Sequence, residues 1–132
     1  MLILFPAKNE AKALRTALFK IGAGSIGNYS DCSFNVEGYG TFKGNEDSNP
    51  TKGQKGKTHT EDETKITVTY AKHIESKVLK TLFNTHSYEE IAYEVTTLEN
   101  KNQNIGLGMI GEFEDVMDES SYLNHLKTKM NT

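Results

Sequence analysis

Apolar positions along the chain switch repeatedly between two periods, and each switch marks an element. Leu2 to Phe5 is a short apolar run closed by Pro6, which predicts a buried first strand because proline cannot donate to a ladder. A helix follows, with Asn9 as its expected N-cap, Glu10 in the first turn, and Ala11, Leu14, Leu18 and Ile21 at helical spacing up to Gly22. Cys32, Phe34 and Val36 then alternate with Ser33, Asn35 and Glu37, the period of a strand with one wet face, which Gly38 and Gly40 are expected to loosen. From Lys43 to Glu61 there is no period, the stretch being mainly Gly, Asn, Ser, Thr and Lys with one Pro, and such a length points to a mobile or functional connection. Ile66, Val68 and Tyr70 alternate with Thr67 and Thr69 in a third strand. Ile74, Val78, Leu79, Leu82 and Phe83 return to helical spacing until Asn84 and Thr85 end the second helix. Ala92 to Leu98 predicts a fourth strand, with Tyr93 and Val95 on one face and Glu94 and Thr96 on the other.

The resulting order, β-α-β-β-α-β, predicts an α+β ferredoxin-like sandwich in which two helices cover one face of a four-stranded antiparallel sheet. The other sheet face then needs a partner. Beyond Gly111 the acidic run Glu112 to Glu119 leads into Ser120 or Ser121 as an expected cap, with Leu123, Leu126 and Met130 on one stripe of a last helix. That helix reads as attached to the domain and not part of it, so the expected division is residues 1–112 and 113–132.

Composition narrows the function classes. The chain has 132 residues, enough for one domain with a real core, and no Trp with a hydrophobic fraction of 36%, which makes that core modest and self-association expected. A net charge of -3 supplies no field to gather phosphate backbones or anionic lipid, so neither nucleic acid nor membrane is an expected partner. Cys32 is the single cysteine, which excludes an internal disulfide framework and fits a reducing, cytoplasmic setting. In an alternating strand its expected role is packing, not nucleophilic attack.

Several short motifs imitate known sites and fail on context. Gly22-Ala23-Gly24-Ser25-Ile26-Gly27 and Gly106-Leu107-Gly108-Met109-Ile110-Gly111 both match G-x-G-x-x-G. The first follows a helix where a dinucleotide fingerprint needs a strand, and neither opens a helix, so both predict turns. Gly56-Lys57-Thr58 lacks the first glycine of a P-loop, which would fall at Thr51. Lys52, Lys55 and Lys57 in that Gly-rich loop remain candidates for a small anion. His86-Ser87-Tyr88-Glu89-Glu90 puts an imidazole and two carboxylates within five residues, a set able to hold a divalent metal or share a proton, although its position in a helix-to-strand turn excludes a zincin arrangement. His59, His73 and His125 have no paired spacing and are expected at the surface.

Three blocks together are more specific than any of these motifs: Gly22 to Phe34 continuing through Glu37-Gly-Tyr-Gly-Thr-Phe42, His86-Ser-Tyr-Glu-Glu-Ile-Ala-Tyr93, and Gly106-Leu-Gly-Met-Ile-Gly-Glu112. They resemble the central insert of the dinuclear-metal proteins described as GTP cyclohydrolase type 2 homologues, and Asn49-Pro50 followed by Gly53 fits the same insert. The resemblance implies a fold similar to the PII signalling proteins and the divalent-cation-tolerance protein CutA, which are trimers. It implies also that the insert interrupts a larger α/β domain, projects from a hexameric ring and covers or gates its cavity. Two divalent metal ions are implied for the longer proteins, held by a His-His pair and a His-x-x-Ser-Glu stretch in flanking segments. Neither stretch is present here, so no metal ligand and no catalytic residue is assigned to this chain, no cofactor is expected in it, and no turnover of GTP by it alone is expected. His86-Ser87 also departs from the usual His-Pro of that turn. On this resemblance the tail helix is where the outer domain resumes and the chain is a piece of a longer one. The ligand-binding candidates are Asn28, Tyr29, Lys52, Lys55, Lys57, His86, Tyr88, Glu89 and Glu90. The alternative function is a free-standing PII- or CutA-like trimeric sensor of a small anion or divalent metal.

Overall fold

The computed structural model describes residues 1–100, 108 and 110–130. They fall into two compact units, Met1–Leu98 and Glu99–Thr132.

The first unit is the expected sandwich. Strands β1 (Leu2–Leu4), β2 (Phe34–Phe42), β3 (His59–Val68) and β4 (Tyr93–Val95) form one antiparallel sheet in the order β2-β3-β1-β4, and helices α1 (Ala11–Lys20) and α2 (Glu75–Thr85) pack against it. A short central strand suffices because both its neighbours bury it: Leu2 pairs with Val68 and Val95, Leu4 with Ile66 and Tyr93. The same face meets Leu14 and Leu18 of α1 and Val78 and Leu82 of α2, all essentially inaccessible, at spacings that keep them on one side of each helix. Each such leucine contributes about 1.5–3 kcal/mol by leaving water.

The boundaries depart from the expected ones for local reasons. Helix α1 begins at Ala11 with Glu10, not Asn9, in the cap position, and no side chain caps it; a turn in which Glu10 and Ala11 both donate to the Ala7 carbonyl takes that role. At its other end Gly22 and Ala23 donate to Phe19 and Leu18, and Gly22, Gly24 and Gly27 all take left-handed φ, so the first glycine motif is the turn its context predicts. Strand β2 begins after Cys32 and runs straight through Gly38 and Gly40, because nine consecutive pairings with β3 outweigh the freedom of two glycines. Cys32 is half-buried outside the strand and outside the core, its thiol 3.6 Å from the Ser30 carbonyl. Strand β3 starts at His59, well before the expected apolar segment, since its outer half pairs only with β2 and needs no greasy face. It ends at Val68, so Tyr70 lies beyond it, and a 3-10 turn at Lys72–Ile74 leads into α2. Strand β4 is shortened to Tyr93–Val95.

Among the described residues, nothing covers the start of β2 on the face of the sheet away from the helices. Phe34 and Val36, paired with Thr67 and Lys65, are 71% and 48% exposed, although their alternation reads as a buried pattern.

In the second unit, α3 (Glu119–Met130) is capped by Asp118, not by Ser120 or Ser121: the Asp118 carboxylate accepts both the backbone N–H (3.1 Å) and the hydroxyl (2.6 Å) of Ser121. Those bonds hold its carboxyl below the usual aspartate range. Phe113 lies edge-on to Tyr122 and His125 on that helix. Half of the second glycine motif, residues 106, 107 and 109, falls outside the described residues. No described helix is long and apolar enough to cross a membrane.

Candidate functional site

The connection between β2 and β3, residues 43–58, folds back on itself and onto the turn that precedes β4. Within it the Gly56 N–H donates to the Gly44 carbonyl (2.8 Å) and the Lys55 ammonium to the Glu46 carbonyl (2.7 Å). Gly53 and Gly56 take left-handed φ, and at Gly53 a Cβ would stand 2.8 Å from that of His59, so this bend requires glycine twice over. Two bonds tie it to the turn: the Asn49 N–H donates to the Glu89 carboxylate (2.7 Å) and the Thr51 hydroxyl to the Ser87 carbonyl (2.9 Å). The turn is anchored in its turn to α1, where the Ser87 hydroxyl donates to the Glu10 carboxylate (2.7 Å).

Between loop, turn and the end of the β2–β3 ribbon lies a cleft of about 430 Å³. One wall is aromatic: Phe42 is 5.2 Å from His59 and 6.3 Å from Tyr88, ring centre to ring centre, and His86 packs edge-on to Tyr88 at 4.9 Å. The Tyr88 hydroxyl donates to Glu63 (3.1 Å), whose carboxyl lies over Gly40. Any larger residue at 40 would collide with it, since a Cβ there falls 2.7 Å from the Glu63 carboxyl carbon. Burial raises the Glu63 carboxyl above the usual glutamate range against the opposing pull of the Tyr88 bond. Burial and the neighbouring Glu63 charge raise the Tyr88 phenol. On the same strand Glu61 behaves oppositely: hydrogen bonds from Lys52 and then His59 hold its carboxyl below the ordinary value. His86, half-buried, is lowered chiefly by burial, so the neutral imidazole is favoured, and its Nδ1 accepts the Tyr88 N–H (3.2 Å).

Of the nine candidate residues, Lys52, Tyr88, Glu89 and Glu90 line this cleft, and His86 supports Tyr88 from behind. Lys55 belongs to the loop's internal bonding, and Lys57 is exposed. Asn28 and Tyr29 sit at an exposed turn closed by the Ile26–Tyr29 bridge and do not line the cleft. Sequence reasoning missed Gly40, Phe42, His59, Glu61 and Glu63. Their signal is the period-two placing of His59, Glu61, Glu63 and Lys65 on one face of a strand, which is visible only once β3 is extended into the polar segment. Among the described residues no three His, Cys, Asp or Glu side chains gather into a group able to hold a metal, so the donor set that a dinuclear centre needs is not met by them.

No protein-family model matches the chain. It is 36% identical over 126 residues to a GTP cyclohydrolase 1 type 2 homolog of Halalkalibacterium halodurans, a match that takes in 96% of this chain and 34% of that protein. The crystal structure of a Bacillus cereus protein related to NIF3 superposes with a TM-score of 0.69 at 34% identity, over 99% of this chain and 34% of that one. The periplasmic divalent cation tolerance protein CutA from Archaeoglobus fulgidus shares the fold, with a TM-score of 0.55 at 15% identity over 77% of this chain and 85% of its own. The chain thus spans about a third of the length of the relatives it matches, and almost all of it is similar to one stretch of proteins named GTP cyclohydrolase 1 type 2 homolog.

Proposed function

We propose that this chain is the insert module of a longer, dinuclear-metal, hydrolase-like protein of the GTP cyclohydrolase type 2 homologue kind, and that copies of the module assemble to cover or gate the cavity of that protein. One observation carries the reading: β1 and β4 are antiparallel neighbours, so the path of the chain enters and leaves the sandwich at adjacent points. The Thr96 N–H donates to the Met1 carbonyl at 2.9 Å. A unit with adjacent crossing points can occupy a single loop of a host domain without stretching it. The match of nearly the whole chain to about a third of longer relatives supports the same reading. So does the uncovered sheet face with Phe34 and Val36, which self-association would take out of water.

Light scattering tests the assembly: the expected mass is three times the 14.7 kDa of the chain, or a higher multiple, and a strict monomer at high concentration overturns it. The metal chemistry of the host is assigned to residues outside this chain, so GTP incubated with the chain and added Mn²⁺ is expected to release no formate above the metal blank; release would move the active site into the module. The alternative reading, a trimeric sensor of a small anion or divalent metal, is separated from the first by calorimetry with nucleotides and divalent ions, where no heat with any of them removes it.

A further inference from the structure

We propose that the cleft between residues 43–58 and the turn at 86–92 binds a small organic cation with a flat body, such as an amidine, a guanidine or a protonated aromatic amine. Its volume, about 430 Å³, lies in the range of small-molecule sites. Three carboxylates, Glu63, Glu89 and Glu90, line it, brought together from a strand and a turn some 25 residues apart. The cations that line it are Lys43 and Lys52, and the Lys52 ammonium is already engaged by Glu61. An anion entering here would meet an excess of negative charge, whereas a cation would meet Glu63, half-buried, beside the exposed Glu89 and Glu90. Phe42, in contact with Tyr88, offers ring surface for a flat group beside those acids, an arrangement that favours delocalised cations over compact hydrated ones. Gly40 adds to the specificity of construction: only glycine leaves room for the Glu63 carboxyl to lie across β2 with its bond to Tyr88 intact.

The test is a calorimetric titration of the full chain with benzamidine, benzoate, phosphate and Mg²⁺. Benzamidine is expected to bind in the high micromolar to millimolar range that a ligand of its size supports, with benzoate and phosphate at least roughly tenfold weaker. Glu63→Gln, which keeps the shape and removes the charge, is expected to weaken benzamidine about tenfold, as is Glu90→Gln, while Glu94→Gln on β4 leaves it unchanged. Circular dichroism of each variant separates loss of the site from loss of the fold. No benzamidine binding at millimolar concentration, equal or tighter binding of benzoate or phosphate, displacement of benzamidine by equimolar Mg²⁺, or indifference to both glutamate variants would overturn the proposal. None of these outcomes depends on the oligomeric state, which light scattering reads separately.

Discussion

Gly38 and Gly40 occupy the same face of one strand, and a methyl group added at each distinguishes a backbone effect from an effect on the cleft. Neither has a left-handed φ, so alanine fits the backbone at both positions. Where the native conformation is compatible, Gly→Ala stabilises by about 0.4–1 kcal/mol through the lost freedom of the unfolded chain. At Gly38 the new Cβ meets nothing within 4 Å, so that gain stands alone. At Gly40 it falls 2.7 Å from the Glu63 carboxyl carbon, and the side chain must swing out, breaking its 3.1 Å bond from Tyr88. A hydrogen bond to a charged group contributes about 1.5–3 kcal/mol when buried. Glu63 is only partly buried, which reduces the expected loss to about 1–2 kcal/mol. Gly38→Ala should therefore gain about 0.5 kcal/mol and Gly40→Ala lose about 1 kcal/mol. With a urea slope of about 1.5 kcal/mol per M, the two midpoints, followed by far-ultraviolet circular dichroism, should differ by about 1 M. Midpoints agreeing within about 0.3 M would show that Glu63 does not depend on the room left by Gly40.

Three further outcomes follow from the same geometry. Gly24→Ala places a Cβ 2.7 Å from the Cys32 carbonyl oxygen at φ +76°, and should cost about 2–4 kcal/mol in urea unfolding, against about 1 kcal/mol for Gly27→Ala, whose surroundings are empty. Lys52→Met removes the main partner that depresses Glu61; since a carboxyl lowered from 4.5 stabilises above that pH and loses the contribution as pH falls through its folded value, the variant should lie below the parent at pH 7 and converge on it as acid protonates Glu61 in both, which urea melts across the acid range read. Leu82→Ala, at a fully buried position between α2 and the sheet, should lower stability by about 2–5 kcal/mol in thermal or urea melts, and a loss under about 1 kcal/mol would mean that the helix is not held by the core.

The order of elements was legible because each core residue repeats at the period of its element: Leu14 and Leu18 on α1, Val78 and Leu82 on α2, Ile66 and Val68 on β3. What escaped was set by pairing and by local bonding, which leave no apolar trace. Gly38 and Gly40 look like strand breakers until nine pairings with β3 are seen to carry them, and the polar half of β3 looks like loop until β2 lies beside it. The turn from His86 to Glu90 and the lysine loop were recognisable as chemistry, but Glu61 was hidden at the end of that apparent loop and Glu63 in the polar residues between it and the apolar half of β3. Asp118 was overlooked as a cap because the two serines after it are equally good cap types, and only the observed bonds to Ser121 choose between them.

The three-residue central strand has a consequence for synthesis. Leu2–Leu4 leaves the ribosome about 60 residues before its partner segment at Ile66–Val68 and about 90 before Tyr93–Val95. At about 5–20 residues per second, that apolar run waits roughly 5 to 20 s for both of its neighbours, together with the apolar face of the helix that follows it. During that interval β2 and β3 can already form a long hairpin with one open side, where β1 must later insert. The sheet is therefore completed only when the last strand arrives, and a truncation before Tyr93 would leave the centre of the sheet without its second neighbour.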